Sequence, residues 1–146
     1  MTRRVLVTGS SRGIGSAIAR RLAASGFSVS VHCRSRRAEA EAVAAEIRGD
    51  VLQFDVADRG ASRKALEQDV EKNGCYYGIV CNAGIVRDNA FPALSDEDWD
   101  EVLDTSLGGF YNVVHPLVMP MIRAKQGGRI VTIASVAGVV GNRGQV

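Results

Sequence analysis

At 146 residues, 46% of them hydrophobic, the chain can bury one sizeable core and is short for two, so a single domain over 1–146 is expected. Its 18 Lys and Arg are interspersed with 16 Asp and Glu, a net charge of +2 that gives none of the basic field a nucleic-acid partner requires. No apolar run approaches the roughly 18 residues of a membrane-spanning helix and the N-terminus leads straight into a strand, so no membrane partner and a cytoplasmic location are expected.

The chain begins with a β-branched run, Val5-Leu6-Val7, that stops at Thr8-Gly9. Ser10-Ser11-Arg12-Gly13-Ile14-Gly15 follows, and an Ala/Ile/Leu pattern of helical period starts at once. The helix predicted over 13–25 places Ile14, Ala17, Ile18 and Leu22 on one face, and Gly26 stops it. Residues 28–33 read as a second strand, and an Ala/Glu-rich helix runs through Arg48 to Gly49. A short strand over 51–54, a helix over 57–72 ended by Asn73-Gly74, and a strand over 78–81 come next. Residues 82–92 are polar and aperiodic. Ser95 and Asp98 then resemble a capping box opening a long helix, along which Trp99, Leu103, Ser106, Phe110, Val113 and Leu117 form an apolar stripe read mainly as core. Pro116 and Pro120 are expected to kink or end that helix, and a fifth strand follows over 129–134. Strands alternating with helices imply right-handed parallel crossovers and an α/β, doubly wound sheet of five strands with flanking helices.

In such a sheet the loops at the C-terminal strand ends form one crevice, and every polar feature of interest falls there: Thr8–Gly15, Arg34, Asp55, Asn82–Gly84 and Ser135. The strand, glycine turn and helix start converge free backbone N–H groups and the positive helix end on a position suited to a pyrophosphate. Where proteins that choose NAD carry an acidic residue after the second strand, this chain has Arg34 and no Asp or Glu between Gly26 and Ala38. With Arg12 inside the turn, the pair of guanidinium groups suits the 2′-phosphate of NADP, whereas Arg36 and Arg37 read as a solvated helix start. Asp55 could accept from an adenine amino group or cap the following helix. Asn82-Ala83-Gly84 permits close backbone approach to a ligand or is an ordinary turn, and Ser135 alone reads as a cap or turn former. Cys33, Cys75 and Cys81 are expected to be reduced and buried, and His32 and His115 structural, with no metal site.

The set Thr8-Gly9-x-x-x-Gly13-x-Gly15, Asp55-Val56, Asn82-Ala83-Gly84 and Gly128-Arg129-Ile130-Val131-x-Ile133-x-Ser135 resembles the short-chain dehydrogenase/reductase family in order and spacing. Ser135-Val136-Ala137-Gly138 with Gly141-Asn142-x-Gly144-Gln145 looks most like its 3-oxoacyl-acyl-carrier-protein reductases. The resemblance implies a Rossmann-type fold and NADPH-dependent reduction of a 3-oxoacyl thioester in fatty acid synthesis. It also implies an acyl-carrier-protein-linked substrate and a homo-oligomer, dimer or tetramer. Thr8 would stabilise the turn, Gly9, Ser10, Ser11, Arg12, Gly13, Ile14 and Gly15 would hold the pyrophosphate, and Arg12 and Arg34 the 2′-phosphate. Asp55 and Val56 would meet the adenine, Asn82, Ala83 and Gly84 the adenosine side and nicotinamide ribose, and Ser135 the substrate carbonyl. Two departures stand out. The family's Tyr-x-x-x-Lys pair would begin two residues past Val146 together with further strands, and Ser106 replaces a family asparagine. Without those strands the fifth strand keeps an unpaired edge and the helix stripe is partly uncovered. Other carbonyl substrates, or dinucleotide binding without turnover, are the alternative readings.

Overall fold

In the computed structural model, which describes residues 2–145, the first apolar run becomes β1 (Arg4–Val7) at the centre of a parallel sheet. The five strands lie in the order β3-β2-β1-β4-β5, with β2 at Ser28–Cys33, β3 at Asp50–Gln53, β4 at Gly78–Cys81 and β5 at Arg129–Thr132. Val7 stands level with Val31 on one side and Val80 on the other, and Val80 with Val131. The chain winds outward through β2 and β3, then returns to the far side of β1. That reversal opens a crevice at the C-terminal ends of β1 and β4, as the doubly wound Rossmann-type reading expects.

Alternation along β1 builds two cores. Val5 and Val7 face α1 (Gly13–Ala24) and α2 (Arg37–Ile47), packing with Ala19, Val29, Val31, Ala40 and Val43. Leu6 faces the opposite layer, α3 (Arg59–Asn73) and α5 (Gly109–Ala124), with Leu66, Tyr76, Ile79, Val113 and Leu117. A buried polar network locks α3 to the sheet. Asp69 accepts from Arg4 (2.9 Å), Tyr76 Oη (2.6 Å) and Asn73 (2.8 Å).

Four expectations change. The helix expected from residue 57 starts at Arg59, because the Asp58 side chain caps it by accepting from Ala61 N–H at 2.9 Å. Of the apolar face expected on α1, Ile18 and Leu22 pack partly buried against the core, while Ala17 is exposed and Ile14 is 66% exposed because the start of α1 faces the crevice. The long apolar stripe divides in two. Ser95 caps α4 (Asp96–Leu103), accepting from Asp98 N–H at 3.1 Å as the capping reading requires, but a π turn at Asp104–Gly108 separates α4 from α5. The extra residue shifts the helical phase, so Thr105, Gly109, Asn112, Val113, Leu117 and Met121 are buried, while Trp99, Ser106 and Phe110 are exposed. Pro116 and Pro120 both lie inside α5, which ends at neither and runs on to Ala124. Packing of Val113, Leu117 and Met121 outweighs the helix bonds the prolines remove. Among the described residues β5 pairs only with β4, and its residues are exposed.

Candidate functional site

The loops leaving β1 to β4 enclose a cavity of about 340 Å³. Gly9, Ser11, Arg12, Gly13, Ile14 and Gly15 line it from the first turn, and Arg34, Asp55, Val56, Asn82, Ala83 and Gly84 from the loops after β2, β3 and β4. A second cavity, about 530 Å³, adjoins it through Ile14, Val56, Asn82–Ile85 and Thr105, and includes Thr8, Ser106, Phe110 and Ser135. The loops at the strand ends thus form one continuous crevice.

Backbone and side-chain bonds weld the β1 and β4 loops together. Thr8 Oγ1 accepts from the N–H groups of Asn82 and Ala83, both at 2.9 Å, and Asn82 Nδ2 donates to the carbonyls of Thr8 and Gly9 at 3.0 Å. The packing leaves no room for a side chain at Gly15, where a Cβ would overlap the Gly9 carbonyl and stand 2.5 Å from Asn82 Nδ2. Helix α1 starts immediately behind this turn. Among the described residues no side chain caps it, whereas Asp58 and Ser95 cap α3 and α4. The first N–H groups of α1 and the positive end of its dipole therefore remain directed at the cavity, an anion site built from backbone.

Three guanidinium groups, Arg12, Arg34 and Arg36, line the cavity against one carboxylate, Asp55. Arg34 Nη1 stands 3.9 Å from Asp55 Oδ2, and Asp55 Oδ1 accepts from Ala57 N–H at 2.9 Å. Asp55 thus closes the turn ahead of α3 and keeps one oxygen toward the arginine. Arg36, read from sequence as solvated, reaches the cavity rim while paired with Glu39 at 2.7 Å; Arg37 pairs with Glu41 instead. Burial pushes the Cys81 thiol up to about 11 and raises Cys33, so both stay protonated near neutrality. Cys33 is buried as expected, but Cys75 and Cys81 are half-buried. His32 is buried and His115 is exposed beside Tyr111.

A sequence profile of short chain dehydrogenases matches residues 3–146. The chain belongs to the short chain dehydrogenase family. One relative is the 3-oxoacyl-[acyl-carrier-protein] reductase FabG of Aggregatibacter actinomycetemcomitans, 62% identical over 100% of this chain and 62% of that protein. The reductase of the same name from Staphylococcus aureus strain Mu50 is 39% identical over 99% of this chain and 61% of its own. A gluconate 5-dehydrogenase from Burkholderia cenocepacia J2315, solved in complex with NADP and tartrate, superposes with a TM-score of 0.92 at 32% identity, covering 99% of this chain and 58% of that one. The chain therefore spans less than two thirds of the length of these relatives.

Within this short chain dehydrogenase the residues singled out from sequence are brought together with one exception. Ser10 is fully buried beneath the turn, its hydroxyl donating to the Val7 carbonyl at 2.7 Å, and it does not line either cavity. Ser135 sits at the mouth of the second cavity, where its Oγ accepts from Ala137 N–H at 3.2 Å and caps a short 3-10 turn, Val136–Gly138. Thr105, Ser35 and Arg36 were missed. The latter two directly follow Arg34 and share its loop, whereas Thr105 is delivered by the π turn, which leaves no mark in the apolar period. Among the described residues no group of His, Cys, Asp and Glu is placed to hold a metal ion.

Proposed function

We propose that this chain is the dinucleotide-holding part of an NADPH-dependent oxidoreductase that reduces a 3-oxoacyl thioester, carried on acyl-carrier protein, to its 3-hydroxyacyl form in fatty acid synthesis. The single observation that carries the reading is the 62% identity, over the whole of this chain, to a reductase of that name. The geometry fits the cofactor: a glycine turn packed too closely at Gly9 and Gly15 for a Cβ brings the backbone near the cavity, and an uncapped helix start and three arginines supply the donors a pyrophosphate and a 2′-phosphate require.

When bound, the nicotinamide supplies hydride; this chain's residues hold and orient the reactants. The α1 N-terminus with Ser11, Gly13, Ile14 and Gly15 takes the pyrophosphate, and Arg12 and Arg34 take the 2′-phosphate. Asp55 and Val56 border the adenine, and Asn82 to Gly84 the adenosine side and nicotinamide ribose. Ser135 Oγ accepts a backbone N–H and retains its hydroxyl proton, through which it hydrogen-bonds and orients the substrate carbonyl. On the same reading, the intact protein is a cytoplasmic homo-oligomer, and Arg123, Lys125 and Arg129 meet the acidic carrier protein.

The test is NADPH oxidation by the full-length protein. A rate raised by a 3-oxoacyl thioester well above that with sugar or steroid ketones is expected; no rise over the substrate-free rate refutes the reading.

A further inference from the structure

Strand β2 carries a histidine that no part of the reading above uses. His32 is 2% exposed, yet both its ring nitrogens have partners: Nδ1 accepts from Gly9 N–H at 3.0 Å, and Nε2 stands 2.9 Å from the Phe54 carbonyl. A backbone N–H can only donate, so Nδ1 is bare and Nε2 carries the proton given to Phe54. The ring also lies against Phe54, with centroids 4.3 Å apart. The main chain of His32 adds a second clasp. Its N–H donates to Ser10 Oγ and its carbonyl accepts from Ser10 N–H, both at 2.9 Å, while Ser10 Oγ donates to Val7 O at 2.7 Å.

We propose that His32 is a positioning residue for the dinucleotide, its ring fixing the phosphate-binding turn at Gly9 and joining that turn to the end of β3, where Asp55 and Val56 line the same crevice. The proposal rests on the reading that the crevice takes a dinucleotide. It also explains Ser10, whose hydroxyl belongs to this clasp and not to the pyrophosphate. Because Gly9 N–H is committed to the ring, the anion donors are left to the start of α1. Removing the acceptor orphans a backbone N–H under the turn and frees the turn to move relative to the adenine side. Burial keeps the ring neutral, as its two bonds require.

Two amide substitutions separate the two ring functions. In His32→Asn the side-chain oxygen replaces Nδ1 and keeps the Gly9 bond; in His32→Gln the terminal amide replaces Nε2 and keeps only the Phe54 bond. Full-length protein and both variants are titrated with NADPH, and amide hydrogen exchange is followed over residues 9–15 without nucleotide. The expected result is a dissociation constant raised about tenfold in the Gln variant and restored to within about threefold in the Asn variant, with exchange in the turn accelerated only in Gln. Equal affinity and equal exchange in all three proteins overturn the proposal, as does an Asn variant no better than Gln. If the Gln variant does not fold, the Asn variant decides alone, and a tenfold loss of affinity there overturns it. A wild-type protein that does not bind NADPH overturns the dinucleotide reading. The exchange pattern then decides separately whether His32 holds the turn.

Discussion

Replacing Gly15 by alanine is expected to do more damage than replacing Gly13, although Gly13 is the one with left-handed backbone, at φ +57°. Alanine at Gly13 meets nothing within 4 Å, so it costs only the conformational penalty, about 1–2 kcal/mol, and asparagine there should recover part of it. At Gly15 the obstacle is space. The added Cβ overlaps the Gly9 carbonyl and lies 2.5 Å from Asn82 Nδ2, so the turn and α1 must separate. Overpacking of that kind costs about 1–3 kcal/mol. The two Asn82 bonds to Thr8 and Gly9 carbonyls, both 3.0 Å, then stretch or break at about 0.5–1.5 kcal/mol each, for a total of about 2–6 kcal/mol. The anion donors at the start of α1 move with it, so NADPH affinity falls as well. Urea unfolding and an NADPH titration on full-length Gly13→Ala, Gly13→Asn and Gly15→Ala measure both effects. A Gly15→Ala protein as stable as Gly13→Ala, or binding NADPH like the wild type, would refute the reasoning.

Arg34→Asp should weaken NADPH binding by about tenfold or more and leave NADH binding equal or better, since a carboxylate then faces the 2′-phosphate; unchanged selectivity removes Arg34 from that role. Burial lowers the His32 pKa to about 4 against a smaller opposing effect of the Phe54 carbonyl and Asp55. The unfolded chain takes up this proton near the ordinary pKa of about 6.5, so the neutral ring's contribution is complete above that and is lost as pH falls, by roughly 3 kcal/mol at pH ~4. Urea midpoints of wild type and His32→Asn should therefore converge between about pH 7 and about pH 4, and parallel curves would contradict this. Asp69→Asn leaves the largely buried Arg4 without its closest carboxylate partner, 2.9 Å away, and should cost about 3–5 kcal/mol in the same assay; a loss below ~1 kcal/mol would show that Asp50, 3.8 Å from Arg4, suffices.

The strands, the first three helices and the crevice residues were legible because each rests on a local signal. Val-rich runs bounded by glycine mark strands, and the turn from Thr8 to Gly15 keeps its meaning wherever a strand precedes it and a helix follows. What was illegible depends on the third dimension. Ser10 and Ser11 look alike in sequence, yet one lies under the turn and the other on its rim. Ile14 fits a helical period but stands where the helix faces solvent and ligand. The stripe from Trp99 to Leu117 assumes one uninterrupted helix, and a widened turn breaks that assumption without changing composition. His32 reads as an apolar-strand histidine because both its partners are backbone groups from other segments.

The widened turn at Asp104–Gly108 makes the crevice sensitive to how many residues the chain has, as well as to which they are. One residue of α-helix is about 100° of rotation. Deleting a single position there would return the segment to ordinary winding, the lost residue and the tighter turn cancelling so that Asp96–Leu103 keeps its facing while Gly109–Ala124 stays seated on the sheet through Val113, Leu117 and Met121. Thr105, now shared by both cavities, would be carried off the wall between them. A one-residue change in length is thus a route, open to evolution or to an engineer, for re-aiming the wall of this crevice without altering the hydrophobic core beneath it.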